Sequence, residues 1–151
     1  MAAGMRRQVM DAFLAAVNTV PGIARTVEYD RPFDFAKGPH PAAWAWDFEE
    51  KFGIEKFSNN KWVSELVIGA VVAFKYAPNT DNSLRRRGND LMVGFIGAIM
   101  NDATLDGLVW DLEPIAANIV DLAEKAQNIG AIETLFTVKY FVKITDLTLQ
   151  G

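Results

Sequence analysis

The sequence predicts an α+β fold: one mostly antiparallel β-sheet with long hairpins and two helices packed on one face. Three observations carry this. Residues 62–76, WVSELVIGAVVAFKY, alternate at period two, with Trp62, Ser64, Leu66, Ile68, Ala70, Val72, Phe74 and Tyr76 on one side. Residues 132–144 alternate the same way, with Ile132, Thr134, Phe136, Val138, Tyr140, Val142 and Ile144 together. Two other segments place their apolar residues at three- and four-residue spacing, the signature of an amphipathic helix.

The first of these runs from Met5 through Val9, Phe13 and Val17 to Val20, where Pro21-Gly22 ends it. Residues 26–29 then read as a short strand. Asp30-Arg31-Pro32 and the run Lys37-Gly38-Pro39-His40-Pro41 punctuate the chain as irregular. Residues 42–48 alternate again, with Trp44, Trp46 and Phe48 on one side. Residues 49–61 are polar, with Phe52, Ile54 and Phe57 embedded, and read as a long hairpin connection. The strand at 62–76 could extend about 50 Å, longer than most strands, so it bends or projects. It is placed at or near the sheet's centre.

Pro78-Asn79-Thr80-Asp81 stops that strand, with Asp81 or Thr80 as the expected N-cap of the second helix. Leu84, Leu91, Met92, Phe95, Ile96, Ile99 and Met100 form its apolar stripe. Gly88, Gly94 and Gly97 each cost about 1 kcal/mol of helix propensity, which predicts close packing against the helix. Leu108, Trp110 and Leu112 alternate, and Pro114 predicts a bulge or an edge strand. With no repeat or linker, residues 1–151 read as a single domain.

Composition narrows the function classes. Half of the 151 residues are hydrophobic, and the net charge is −4 with a pI near 5.0. No global basic field favours nucleic acid. The lack of cysteine excludes disulfides, thiol catalysis and thiolate metal sites. The N-terminal apolar run is interrupted by Asp11 and Asn18, so it reads as a helix rather than a leader. No stretch reaches the length of a membrane span, and the expectation is an intracellular soluble protein.

Candidate chemistry is sparse. His40 is the sole histidine and sits between prolines, with no nucleophile-elbow pattern elsewhere, so it reads as a solvated loop residue. Glu49 and Glu50 could suggest acid–base work or a hard cation. Neighbours on a strand point to opposite faces, however, so the pair reads as solvated strand-end charge. No metal, cofactor or catalytic set is expected. Arg85-Arg86-Arg87 is the sharpest charge run, placed early in a helix where the dipole disfavours cations. It reads either as a contact with an acidic neighbour or DNA phosphate, or as a solvated helix face. Leu135 and Phe141 fall on the otherwise polar side of the last strand and point to a subunit interface. Phe52 and Phe57, with Glu49 and Glu50, join the interface candidates.

Several phrases together resemble the tail terminator (tail completion) proteins of long-tailed bacteriophages. They are the leading helix MRRQVMDAFLAAVNTVPGI, the strand end VVAFKYAPNTD, the helix NSLRRRGNDLMVGFIGAIMND, the phrase NDATLDGLVWDLEP and the closing strand GAIETLFTVKYFVKI. The resemblance covers most of the chain. The tryptophan-rich segment 42–61 and the triple arginine depart from it. It implies a non-enzymatic virion subunit, formed in the host cytoplasm and residing in the tail or neck. Its partners would be itself, as a homohexameric ring, the tail tube protein and the head–tail connector or neck proteins. Genome DNA would pass through the lumen without sequence-specific binding, past acidic residues. One of the hairpins at 49–61 and 122–130 would reach the neighbour subunit. The same-class alternative is another neck or head–tail connector completion protein. From other classes stand a small-ligand-binding α+β domain with its tryptophans around a pocket, and a hydrolase using Asp47, Glu49 or Glu50.

Overall fold

The computed structural model describes residues 4–27, 34, 37–58, 61–122 and 127–143; the side chains of residues 54, 55, 57 and 58 lie outside the description. The chain runs α1 (Met5–Asn18), β1 (Arg25–Val27), β2 (Ala42–Ser58), β3 (Lys61–Lys75), α2 (Leu84–Met100), β4 (Asp111–Asp121) and β5 (Ile129–Lys143). The strands form one five-stranded sheet in the order β1-β2-β3-β5-β4. Only β1 pairs in parallel; every other neighbour pair is antiparallel. The expected α+β class is therefore the observed one, with β3 as the middle strand.

Period two decides which side of the sheet is covered. On β3, Leu66, Ile68, Val72 and Phe74 point to the helices, and they align with Val138, Phe136, Ile132 and Gly130 of β5. From α1 come Met5, Val9, Phe13 and Val17, and from α2 come Phe95 and Ile99. Phe136 is the meeting point. Its ring lies 5.4 Å from that of Phe13 and 6.5 Å from that of Phe95, both edge-on. That geometry suits the ring quadrupoles.

Several local features depart from the sequence-based expectations. The polar stretch 49–61 is not a connection: β2 continues through it to Ser58, paired with β3 across three register shifts. Its charges are tolerated because this part of β2 borders the sheet. The first short strand spans Arg25–Val27, and residues 28–33 lie outside the description, as does the hairpin tip 123–126. The cap of α2 is Ser83 rather than Thr80 or Asp81. Thr80 is spent on the preceding turn, where its hydroxyl donates to the Ala77 carbonyl and accepts from the Asn82 N–H.

The glycines of α2 divide. A methyl group at Gly88 would meet Ile119 of β4 at 3.0 Å, so this glycine allows close approach of helix and strand. Gly94 and Gly97 meet nothing within 4 Å, so the expected close packing holds at one position of three. On β4, Pro114 precedes a bulge at an edge strand, as its missing N–H requires.

Two substitutions of opposite sign check this packing by chemical denaturation. Phe136→Ala removes the ring shared by both helices and is expected to cost about 3–5 kcal/mol. Gly94→Ala, on a bare helical surface, is expected to gain about 0.4–1 kcal/mol.

Candidate interaction surface

Because both helices sit on one side, the opposite face of the sheet has no covering layer among the described residues. Its side chains cover one another instead. Trp44 and Trp46, two apart on β2, stack with ring centroids 4.8 Å apart. Trp46 lies across Gly69 of β3, where a methyl group would sit 2.2 Å from the ring. Glycine here is what lets the indole lie flat on the sheet. Across the sheet, Trp110 stacks on Phe141 at 5.7 Å, and the Lys61 ammonium sits 4.1 Å from the centre of the Phe141 ring. Cation and ring attract through the ring's quadrupole. Val63, Val67 and Leu135 fill the same face between these pairs.

The sheet's two borders differ from its middle. β1 covers β2 only at Ala42, Ala43 and Trp44, so from Ala45 to Ser58 no described strand lies outside β2. β4 pairs with β5 alone, and its residues 113–118 are exposed on both faces. Large hydrophobic side chains stand exposed on these borders. Phe48 and Phe52 lie on β2, Ile115 lies on β4, and Trp110 directly precedes β4.

A polar cluster holds α1 to the covered side of β2. The Arg6 Nε–H donates to Asp47 Oδ2 at 2.6 Å, and its guanidinium stands 3.9 Å from Glu50. The Glu50 side chain is only 2% exposed. It is therefore not the solvated charge expected, and it cannot serve as a subunit contact. The bulge after Asp47 carries the strand on so that Glu50 faces α1 while Glu49 faces out. Burial pushes the Glu50 carboxyl above its ordinary range, Tyr140 and Arg6 pull it back, and Asp47 adds to the rise. The Tyr140 hydroxyl is directed to Glu50 without full hydrogen-bond geometry. Burial, reinforced by that carboxylate, drives Tyr140 far above the usual phenol range. Ser64, level with Tyr140 on β3, is buried with it.

Three comparisons bear on identity. No family model matches the chain, and no curated protein matches it. Among solved structures, a chain of "Virion of native gene transfer agent (GTA) particle" is similar at 15% identity, over 90% of each chain, with a TM-score of 0.33. Similarity that loose carries no argument about what this chain does.

The remaining candidates are scattered. Glu49 and Phe52 are exposed on β2, and the side chain of Phe57 lies outside the described residues. Leu135 and Phe141 lie half-buried on the uncovered face. Arg85 and Arg86 are exposed and Arg87 is half-buried; Arg86 reaches Asp81 at 3.0 Å, which offsets its unfavourable position in the helix. The structure does not bring the arginines together with the other candidates, which lie on the sheet. His40 is half-buried just before β2. Among the described residues, no three His, Asp or Glu side chains group as a metal site would require.

The tryptophans do not surround a common pocket: Trp62 faces the helices, whereas Trp44, Trp46 and Trp110 lie on the other side. A groove of about 710 Å³ between the C-terminal ends of α1 and α2 is lined by Ala12, Ala16, Ala98 and Leu105, with Asp102 and Asp106 among its borders. Asp102 is engaged there as an acceptor for the Thr104 and Asp106 N–H groups. Sequence reasoning missed Ile115 and Trp110 as surface residues. The signal was Pro114, which announces a bulge on an edge strand and so turns Ile115 to solvent.

The Glu50 shift has a defined sign. A raised carboxyl favours the neutral form in the fold, so the contribution of Glu50 to stability is fully present below the ordinary value of 4.5 and is lost as pH rises through the raised value. Glu50→Gln removes that titration. Thermal unfolding from pH 3.5 to 8 is expected to show wild type losing ground to the variant as pH increases. A gap that stays constant across this range would contradict a buried, titrating Glu50.

Proposed function

We propose that this chain is a structural virion protein of the tail-terminator type. As a homohexameric ring it caps the tail tube, ends tube polymerisation and joins the tail to the head connector. It performs no catalysis. Its surroundings are the tail tube protein, neck proteins and the DNA that passes through the ring.

The observation that carries this reading is the one-sided sheet. A subunit whose aromatic face has no covering layer among the described residues, and whose border strands β2 and β4 have no further described strand outside them over most of their length, is suited to completion by neighbours. The local phrases that resemble those of tail terminators, from the first helix to the last strand, suggest the kind of assembly. The α-β-β-β-α-β-β order is consistent with it. Long strands serve such a role because a ring needs two different contact surfaces on each subunit.

Native mass spectrometry and negative-stain imaging are expected to show six copies in a closed ring. Added to polymerising tail tube subunits, the protein is expected to shorten tubes at one ring per tube, far below subunit stoichiometry. Tubes of unchanged length would overturn the terminator assignment.

A further inference from the structure

We infer that copies of this chain join edge to edge, with the open side of β2 in one copy adding to β4 of the next to continue the sheet. The inference deepens the ring reading by naming its joint.

Strand direction permits the joint without rearrangement. β2 runs antiparallel to β3, β3 to β5, and β5 to β4, so β2 and β4 of one copy point in opposite directions. A head-to-tail repeat therefore sets β4 beside the next β2 in antiparallel pairing. Both borders are long enough: the 11 residues of β4 span about 36 Å, and no described strand lies outside β2 from Ala45 onward.

The register shifts place the anchors. Phe48 is the residue left unpaired between Asp47 and Glu49, and it is 64% exposed. Ile115 is the residue left unpaired between Pro114 and Ala116, and it is 50% exposed. Each border thus presents a large apolar side chain at a bulge. Bulges usually blunt an edge against pairing. Here each one also puts a hydrophobic residue into solvent, which a protective device would avoid.

Charge selects a second copy as the occupant. Residues 101–121 contain five acids, namely Asp102, Asp106, Asp111, Glu113 and Asp121, and no basic residue. The open part of β2 carries Lys51 and Lys56 exposed, against Glu49 as the exposed acid among its described side chains, while Asp47 and Glu50 are held by Arg6. Residues opposite one another must share a face of the sheet, and the antiparallel register that keeps the pleat while holding Phe48 beside Ile115 sets Lys51 opposite Glu113, both on the uncovered face. Glu50 then lies opposite Pro114 on the covered side, turned inward beneath Arg6 and away from the β4 acids. Opposite charges adjacent across strands favour pairing, and like charges oppose it.

The two anchors are exposed, so their replacement leaves the fold intact; unchanged circular dichroism and thermal unfolding check this. Full-length Phe48→Asp and Ile115→Asp proteins are each expected to sediment as monomers where wild type assembles. The joint is heterologous, so each variant retains one good border. Mixing the two is therefore expected to give a 1:1 dimer and nothing larger. Assembly that survives either substitution, a mixture that remains monomeric, or a wild type that never self-associates overturns the edge joint. If both variants assemble as wild type does, the ring reading survives with a different interface. If the mixture dimerises but wild type leaves tube length unchanged, the joint stands and the terminator reading falls.

Discussion

Among the described residues, helices cover one face of the sheet and not the other, and the rest of the structure depends on that asymmetry. Phe136 shows why. Its ring meets Phe13 of α1 and Phe95 of α2 together, so a single side chain ties both helices to the same face of β5. The pleat then sends Leu135 and Phe141 to the opposite side. There Trp110 and Lys61 pack on Phe141. The uncovered face is thus the other half of the same alternation that builds the core.

The polar groups obey this asymmetry. The carboxylates drawn under α1 are held by Arg6, and Glu50 resists ionisation because desolvation outweighs its neighbours' help. A buried pair of this kind adds little net stability, but it fixes where α1 crosses β2. On the β4 side, residues 101–121 carry five acids and no base.

The fold class was legible because β3, β5 and both helices have strong, unambiguous periods. Their residues obey local rules of burial, and tertiary structure did not override them. Residues 49–58 were illegible for the opposite reason. A border strand needs only one partner, tolerates charge and absorbs bulges, so its period is broken although its backbone stays paired. The inward turn of Glu50 depends on the shift at Phe48, which no local pattern announces. Gly94 and Gly97 misled because a glycine in a helix implies crowding only when something crowds it. The uncovered face was half visible: Leu135 and Phe141 stood out as apolar residues on a polar side. The Trp46–Gly69 contact required the register of two strands.

The pairing of β3 with β5 also governs how the chain reaches this structure. β2 and β3 are adjacent in sequence, whereas Lys75 must wait for Ile129 and Lys61 for Lys143. During synthesis the β2–β3 hairpin is complete well before its second neighbour leaves the ribosome. Non-local pairings of this kind form slowly, and the waiting intermediate exposes strand edges. In that interval Trp62, Leu66, Ile68 and Phe74 have the two helices to shelter them but lack their β5 neighbours. The charged residues interspersed along β2 act then as gatekeepers, keeping unfinished hairpins from stacking on one another. Their presence on a long, aromatic strand is thus explained as much by the life of the nascent chain as by the finished sheet.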